Sequence, residues 1–521
     1  MVVAWSHGRV EIAEGPDADR LEAWDALERA SAPLDPDGAL RADWARAALA
    51  HAERLLGEVE GGPAYRLEPP GGSMAALSGI GVPDHPRAVG DVLADLLRWV
   101  DEPGVATISP RHLGYIPGGG LYASAIGDFL AAVSNRYAAM ASVSPGAAAL
   151  ETVVTDWLAG VVGFGPGAAG VLTSGGTQAT LTAVVAARDA TRPDPAADCV
   201  VYATAHAHHA LDQALAVAGL RGVVRRAVAL DARYRMDAAA LRAAVAADRA
   251  AGLRPWLLAA TAGTTNTGAV DPLEALADVA AAEDLWFHVD GAYGALFRLC
   301  EPGRAVLAGI ERADTVVLDP HKMMFLPYGT GAVLARQGRR LRDVFAVRTD
   351  YLVDDDPWSS GAPRSPADHG PELTRHFRAL RVWLPLQLAG RDAFAAALTE
   401  KLELARYLHR RLGEADGFEV GPEPDLSIVT YRYAPAWVDR ADAVRLDTLN
   451  QALVDRVRLD GEVFVTATRL DGRLVLRAAV GSFRTHRRHV DRALAALVAA
   501  ARSLGAGGGV QPSQGETPRG P

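Results

Sequence analysis

The sequence predicts an α/β protein built on a mostly parallel sheet with helices on both faces. Three observations carry that expectation. From about Ala168, short apolar runs alternate with helical stretches, as strands joined by crossover helices do. The polar residues that stand out, Ser174, His208, Thr264, Asp290 and Lys322, all fall where those runs end, and ligands of such sheets sit at that edge. A later stretch mixes one long helix with isolated strands, which marks a second, smaller α+β domain.

The elements follow in order. At 521 residues the chain exceeds one ordinary core, so about two or three domains are expected. Residues 1–104 read as helices broken by Pro/Gly loops: "LEAWDALERA", "ADWARAALAHAERLL" and "AVGDVLADLLRWV" have helical periodicity and no strand alternation is evident. This segment is expected to be an arm or cap. Residues 105–395 form the large domain. Its strands are "AGVLTSGG", "CVVYAT", "PWLLAATAGTT", "LWFHVDGAY", "DTVVLDPHK" and "GTGAVLAR". Its helices include "TQATLTAVVAARDA", "HALDQALAVAG" and "DPLEALADVAAAE". "DDDPWSSGAPRSPADHGPEL", Asp354 to Leu373, is a long polar loop of the functional or mobile kind. Residues 396–502, with the helix "DAFAAALTEKLELARYLHRRL" leading in, form the small domain. Residues 503–521 are expected to be a disordered tail.

Composition excludes several function classes. Hydrophobic residues make up 49% and charged residues 22%, with a net charge of −10. Nonspecific nucleic-acid binding is therefore not expected. The two cysteines, Cys199 and Cys300, are too few and too far apart for a disulfide framework or a cysteine zinc site. The opening stretch is charged and lacks an apolar core, so no secretory signal is expected. No apolar run long enough to span a membrane occurs. The expectation is a cytoplasmic protein that touches no membrane.

Lysine is almost absent. Of 53 Lys and Arg, two are lysine: Lys322 and Lys401. Compositional bias toward arginine explains most of this. A lysine kept against that bias hints at chemistry that guanidinium cannot do, because a buried lysine can lose its proton and act as a nucleophile. Lys322 follows a strand, so its amine is expected at the carboxyl edge of the sheet; a surface lysine is the bland alternative. Lys401 lies mid-helix beside Glu400 and Glu403 and is expected to be solvated.

Other residues gather around that edge. Asp290 ends "LWFHVD", where a carboxylate can meet a ring nitrogen, a metal or an arginine, or simply cap a turn. "TSGGTQAT" turns from strand to helix. Gly175 and Gly176 there free the backbone N–H groups, Thr177 adds a hydroxyl and the helix start favours an anion. It is neither a P-loop nor a dinucleotide fingerprint. His208, within "HAHH", can lie flat on an aromatic ring; no acidic or cysteine ligand at useful spacing favours a metal. Jointly, these parts fit pyridoxal 5'-phosphate: an anion cup, a carboxylate for a pyridinium nitrogen, a stacking imidazole and a lysine for a Schiff base.

The order of motifs resembles the group II pyridoxal-phosphate amino acid decarboxylases, the relatives of aromatic-L-amino-acid and glutamate decarboxylases. "HVDGAYG" and "DPHK" are the most specific pieces, and "SPRHLGYIPGGG", "SPGAAALETVVTDWLA", "TSGGTQATL", "AHAHHALDQAL" and "GTTNTGAVDPL" stand in the expected order. The resemblance implies a fold-type I enzyme with a mostly parallel seven-stranded sheet, and a homodimer with active sites at the subunit interface. It implies decarboxylation of an L-amino acid to an amine and carbon dioxide. By position, Lys322 would hold the cofactor with His321 beside it, Asp290 would pair with the pyridine nitrogen, and Ala292 and His208 would lie on either side of the ring. Gly175, Gly176 and Thr177 would hold the phosphate, with Thr264 beside the cofactor. Tyr115, Ile116 and Pro117 would line the substrate pocket, and Arg477 would lie near the substrate carboxylate. One departure stands out. The family's mobile loop commonly carries a proton-donating tyrosine, and Pro366 stands near that place here. No tyrosine occurs between Trp358 and Phe377, so His208, His369 or a residue of a partner subunit would have to donate the proton instead. Within the family that loss accompanies an oxidative route to an aldehyde; a relative that binds cofactor without turnover is the further alternative.

Overall fold

The computed structural model describes residues 4–6, 9–11, 18–191, 198–346 and 364–506. These fall into two compact units, one made of the described residues up to 61 together with 68–103, the other of 62–67 and the described residues from 104 to 506.

The first unit carries helices Ala18–Ser31, Gly38–Glu58, Gly72–Ile80 and Val89–Leu96. Asp37 starts the second of these by accepting the Leu40 N–H at 2.8 Å, an N-cap that satisfies one otherwise orphaned donor. The last three helices bury no residue despite their apolar content. The segment is not purely helical. Ala4–Ser6 pairs with Arg9–Glu11, strands too short to leave a periodic signal.

The second unit is organised by a seven-stranded sheet. Its strands are β1 Ala169–Thr173, β2 Cys199–Thr204, β3 Val224–Val228, β4 Arg254–Thr261, β5 Trp286–Asp290, β6 Thr315–Leu318 and β7 Gly331–Ala335. The spatial order is β1-β7-β6-β5-β4-β2-β3. Only β7 runs against its neighbours, β6 and β1; the remaining pairs are parallel. β1, β2, β6 and β7 are buried along their whole length, because helices cover both faces, and their sequences are accordingly continuous apolar runs. β3 has no such run. It is the edge strand, reading "VRRAV", and its Arg226 turns to Asp248.

The parallel strands end at one edge, and that edge holds the polar residues. β1 runs into Ser174–Gly176 and the helix Gly176–Thr191. β5 ends on Asp290. β6 is followed at once by the short helix Pro320–Met323, which carries Lys322.

The long helix Ala379–Gly413 is two helices meeting at Gly390, whose φ of 73° breaks the ladder. A second, antiparallel sheet follows, ordered Phe418–Val420, Ile428–Tyr433, Arg473–Ala479, Thr466–Leu470, with helices Ala443–Asp460 and Arg487–Ala506 against it. Its core is separate from that of the seven-stranded sheet.

Lys401 corrects one expectation. Its side chain is fully buried, and its ammonium bonds Glu400 at 2.9 Å and the Thr485 carbonyl. The helix face that carries it packs against the turn before the last helix, which sequence periodicity alone does not reveal. Both lysines of the chain are thus held in place by carboxylates. The tail from residue 507, and residues 347–363 of the long loop region with Tyr351, lie outside the described residues. Ser503–Ala506, placed in the tail by sequence, end the last helix.

Candidate active site

A cavity of ≈ 360 Å³ opens at the carboxyl edge of the parallel strands. Lys322 projects into it from the first turn after β6. Its Nζ lies 3.1 Å from Asp319 Oδ2, with the lysine side chain 23% exposed and the aspartate 3%. Sequence reasoning assigned roles to His321 and Lys322 within "DPHK" and passed over the aspartate. Three residues before a lysine on a helical turn, it occupies the neighbouring position; that spacing was the available signal.

Asp290 lines the same cavity. Its Oδ1 accepts the Ala292 N–H at 3.1 Å, which orients the carboxylate. Two residues back on the same face of β5, His288 is buried with Nδ1 3.0 Å from Thr315 Oγ1 and Nε2 without a partner. Burial pushes this imidazole down to about 4, against the pull of Asp290, so the group behind Asp290 is neutral.

His208 also faces the cavity. Its Nδ1 accepts the Ala210 N–H at 3.2 Å. A neutral imidazole that accepts at Nδ1 carries its proton on Nε2. Burial lowers the pKa of His208, opposed chiefly by Asp290. His206 lines the cavity too, with its ring stacked on Tyr234 at 5.5 Å. Among the described residues no group of three or more His, Cys, Asp or Glu could hold a metal ion.

The glycine turn forms another wall. Gly175, Gly176 and Thr177 line the cavity at the start of the helix Gly176–Thr191. A Cβ on Gly176 would come within 3.0 Å of Asp319 Oδ2 and 3.3 Å of Ala292 Cβ. A side chain there would intrude on the packing around Ala292, so the turn needs its glycine. His321 supports the same wall, with Nδ1 2.7 Å from the Thr330 carbonyl.

Other expected residues are placed differently. The Thr264 hydroxyl is buried and lies 2.7 Å from Thr267 Oγ1, so it braces a turn; Thr265 lines the cavity instead. Tyr115, at φ 52°, is 61% exposed with its ring 5.9 Å from Phe464. Ile116 packs on the large core. Pro117 abuts Gly481, where a Cβ would lie 3.1 Å from its Cδ. None of the three lines the cavity. The strap they begin passes against the Lys322 turn: a Cβ on Gly118 would lie 3.0 Å from the His321 carbonyl.

Arg477 is buried beside Tyr293, a cavity residue. Its Nη1 donates to Thr466 Oγ1 at 3.2 Å, while Nε and Nη2 have no partner. Burial pushes its guanidinium down to about 10. Pro366 opens a buried turn over Pro366–His369, and His369 bonds its own Ser365 carbonyl at 3.2 Å. Neither lines the cavity, whereas His208 does.

The donor set fits pyridoxal phosphate. A lysine amine, a carboxylate with one oxygen uncommitted to backbone, a ring-sized flat imidazole and a glycine turn at a helix start converge on one cavity. Comparison with known proteins agrees. The model of the pyridoxal-dependent decarboxylase conserved domain matches residues 70–434. An aromatic-L-amino-acid decarboxylase of Bacillus atrophaeus is 36% identical over 368 residues, covering 71% of this chain and 76% of the relative. A phenylacetaldehyde synthase of Arabidopsis thaliana is 28% identical, covering 84% and 89%. The crystal structure of Oryza sativa TDC with PLP and tryptamine superposes with a TM-score of 0.84 at 26% identity, over 90% of this chain and 99% of that one.

Proposed function

We propose, from the premise that this chain belongs to the pyridoxal-dependent decarboxylase family, that it converts an aromatic L-amino acid to its amine and carbon dioxide. The decarboxylase activity and the cofactor follow from the family. The aromatic substrate is supported by the name of the 36% identical relative. The observation that carries the reading is Lys322 facing the same cavity as Asp290, His208 and the Gly175–Thr177 turn.

Pyridoxal phosphate, when bound, supplies an electron sink for the pair left when the substrate carboxylate departs. The chain supplies the rest. Lys322 offers the amine that holds the cofactor. Gly175, Gly176 and Thr177 offer N–H groups and a hydroxyl to the phosphate, with the helix start favouring its charge. Asp290, oriented by the Ala292 N–H, keeps a proton on the ring nitrogen. His208, with its proton on Nε2, is the proposed donor to the carbon that loses the carboxylate. Ala292, which lines the cavity, would lie beside the ring, and Thr264 holds the turn from which Thr265 faces the cavity. Arg477 is proposed to meet the substrate carboxylate, since two of its nitrogens lack a partner. Tyr115, Ile116 and Pro117 are proposed as the substrate wall on the strap over the Lys322 turn.

The same proposal includes a homodimer. Helix Tyr122–Ser134 presents Tyr122, Ile126, Phe129 and Val133 to solvent at 40%, 38%, 59% and 69% exposure. An apolar stripe of this kind marks an interface, and a second copy of the chain is its proposed cover. The helices of residues 1–104 are proposed as a dimerisation arm in their own right, since Gly38–Glu58, Gly72–Ile80 and Val89–Leu96 bury no residue in the single chain, with 396–502 as the small domain. Among the described residues no helix is long and apolar enough to cross a membrane. With only two cysteines in the chain, both of them buried, we place the enzyme in the cytoplasm.

The test is a panel of L-amino acids, aromatic and acidic, with carbon dioxide, amine, aldehyde and hydrogen peroxide all measured. Amine and carbon dioxide from an aromatic substrate, in equal amounts and without peroxide, is the expected result. Pro366 near the expected place of the loop tyrosine, together with the similarity to an aldehyde synthase, favours one second reading. In that reading aldehyde and peroxide replace the amine. Bound cofactor with no turnover across the panel would overturn both.

A further inference from the structure

Of the chain's two lysines, Lys401 has no part in the mechanism above. It stands on the helix Ala379–Gly413, outside the cavity lining, with its side chain fully buried. Its Nζ donates to Glu400 Oε2 at 2.9 Å and to the Thr485 carbonyl. The other oxygen of Glu400 lies 2.8 Å from His486 Nδ1. One lysine and one carboxylate thus hold two consecutive residues of the turn that leads into the last helix. A buried amine is costly unless its donors are used. The larger, forked guanidinium would overfill a site closed on all sides, so the chain's bias toward arginine stops here as well.

What the turn holds is the strap of residues 110–121. Thr485 Oγ1 donates to the Pro110 carbonyl at 2.7 Å, and Arg484 Nη1 donates to the Gly119 carbonyl. Among the described residues Arg484 has no ion-pair partner, so the backbone that carries it decides its aim. Phe483 sets its ring 5.6 Å from that of Phe325, and the Phe325 carbonyl accepts the Leu121 N–H at 2.9 Å. Just before the turn, a Cβ on Gly481 would lie 3.1 Å from Pro117 Cδ and 3.2 Å from Met323 Cε. The turn, the strap and the short helix of Lys322 therefore meet in one place. We infer that Lys401 is a positioning residue. Through Thr485 and Arg484 it holds the strap, with Tyr115, Ile116 and Pro117 at its middle, against the turn that carries Lys322. The inference rests on the reading of those three residues as the substrate wall. Without the lysine, the buried Thr485 carbonyl loses this donor, the turn shifts to find another, and Arg484 moves with it.

Hydrogen exchange of the holoenzyme tests this, read by mass spectrometry on peptides covering 110–121 and 487–506. Lys401→Met is compared with Leu497→Ala, which opens the small-domain core from the last helix. In Lys401→Met the strap is expected to exchange about tenfold faster than in the unsubstituted enzyme. KM for the aromatic substrate should rise by about tenfold, with the Schiff-base absorbance kept. In Leu497→Ala only the last helix should exchange faster. Strap exchange in Lys401→Met no faster than in Leu497→Ala overturns the inference, since Lys401 would then serve stability alone. Faster strap exchange with an unaltered KM overturns the reading of the strap as the substrate wall, and with it the positioning role. Should Lys401→Met fail to fold, Arg484→Met decides, because its half-buried side chain is the last link to the strap. Strap exchange at the unsubstituted rate there overturns the inference, and faster exchange with a raised KM supports it. The exchange readout needs no turnover. Its failure therefore leaves the decarboxylase reading standing, and an enzyme without turnover still yields it.

Discussion

Glu151 and Arg375 form an ion pair wholly inside the protein, Oε1 to Nη1 at 2.7 Å, with side chains 3% and 1% exposed. The same carboxylate oxygen accepts the Leu172 N–H at 3.0 Å, and Arg375 also donates to the Leu172 carbonyl. Together they clamp both backbone groups of one residue of β1, two residues before the glycine turn begins. Glu151→Gln removes the close counter-charge of a buried guanidinium and leaves it only Glu372, at 3.8 Å. We expect a loss of roughly 3–5 kcal/mol of stability, as for other broken buried pairs, measured by denaturant unfolding. An unchanged midpoint would show that the pair contributes nothing net.

Lys322→Ala should abolish the Schiff-base absorbance of the purified enzyme and lower turnover by roughly a thousandfold or more. Lys322→Arg should do the same, since guanidinium stays charged and cannot form the imine. A band that persisted in either variant would refute the assignment of Lys322.

Asp290→Asn keeps the shape but removes the charge that holds a proton on the ring nitrogen. The expected result is a fall in kcat of roughly a hundredfold or more with a small change in KM, because the lost interaction acts on the charge that develops during reaction. Steady-state kinetics check it; a loss confined to KM would make Asp290 a binding residue only.

Arg477→Met discriminates between two roles. If the guanidinium meets the substrate carboxylate, KM should rise by about tenfold or more. If Arg477 is purely structural, KM should stay put and stability should hold or improve, since a buried, poorly paired charge has been replaced by an apolar side chain.

His369 sets an acid limit on stability. Burial pushes its imidazole from the ordinary 6.5 down to about 4. The unfolded chain therefore binds a proton at higher pH than the folded one does. The associated stability is fully present above about pH 6.5 and is lost as pH falls toward 4. His369→Gln should reduce the slope of the melting temperature across that window, with His288 supplying part of what is left, while leaving the pH 7.5 activity in place, because His369 lies outside the cavity lining. An unaltered pH profile would show that other groups govern acid unfolding.

Most of the large domain was legible in order. The inner strands are buried on both faces, so most read as apolar runs, and the helices between them keep their period. What stayed hidden has local reasons. Val224–Val228 is an edge strand with two arginines, and Thr466–Leu470 is buried only at its two end residues, so neither makes a run. The hairpin Ala4–Ser6/Arg9–Glu11 has too few residues to show a period at all.

The site divides in the same way. The sequence by itself determined which groups could do the chemistry: an isolated lysine after a strand, an aspartate ending another, glycines at a helix start. Residue type and strand-end position suffice for that, because parallel strands must finish at a common edge. Only the tertiary structure decided which of them touch. It turned Thr264 into a brace and put Thr265 in the cavity, buried Lys401 against Thr485, sank His369 away from the site and placed Asp319 against Lys322. Contacts of that kind depend on where side chains point once helices and strands are packed, and no spacing along the chain carries that information.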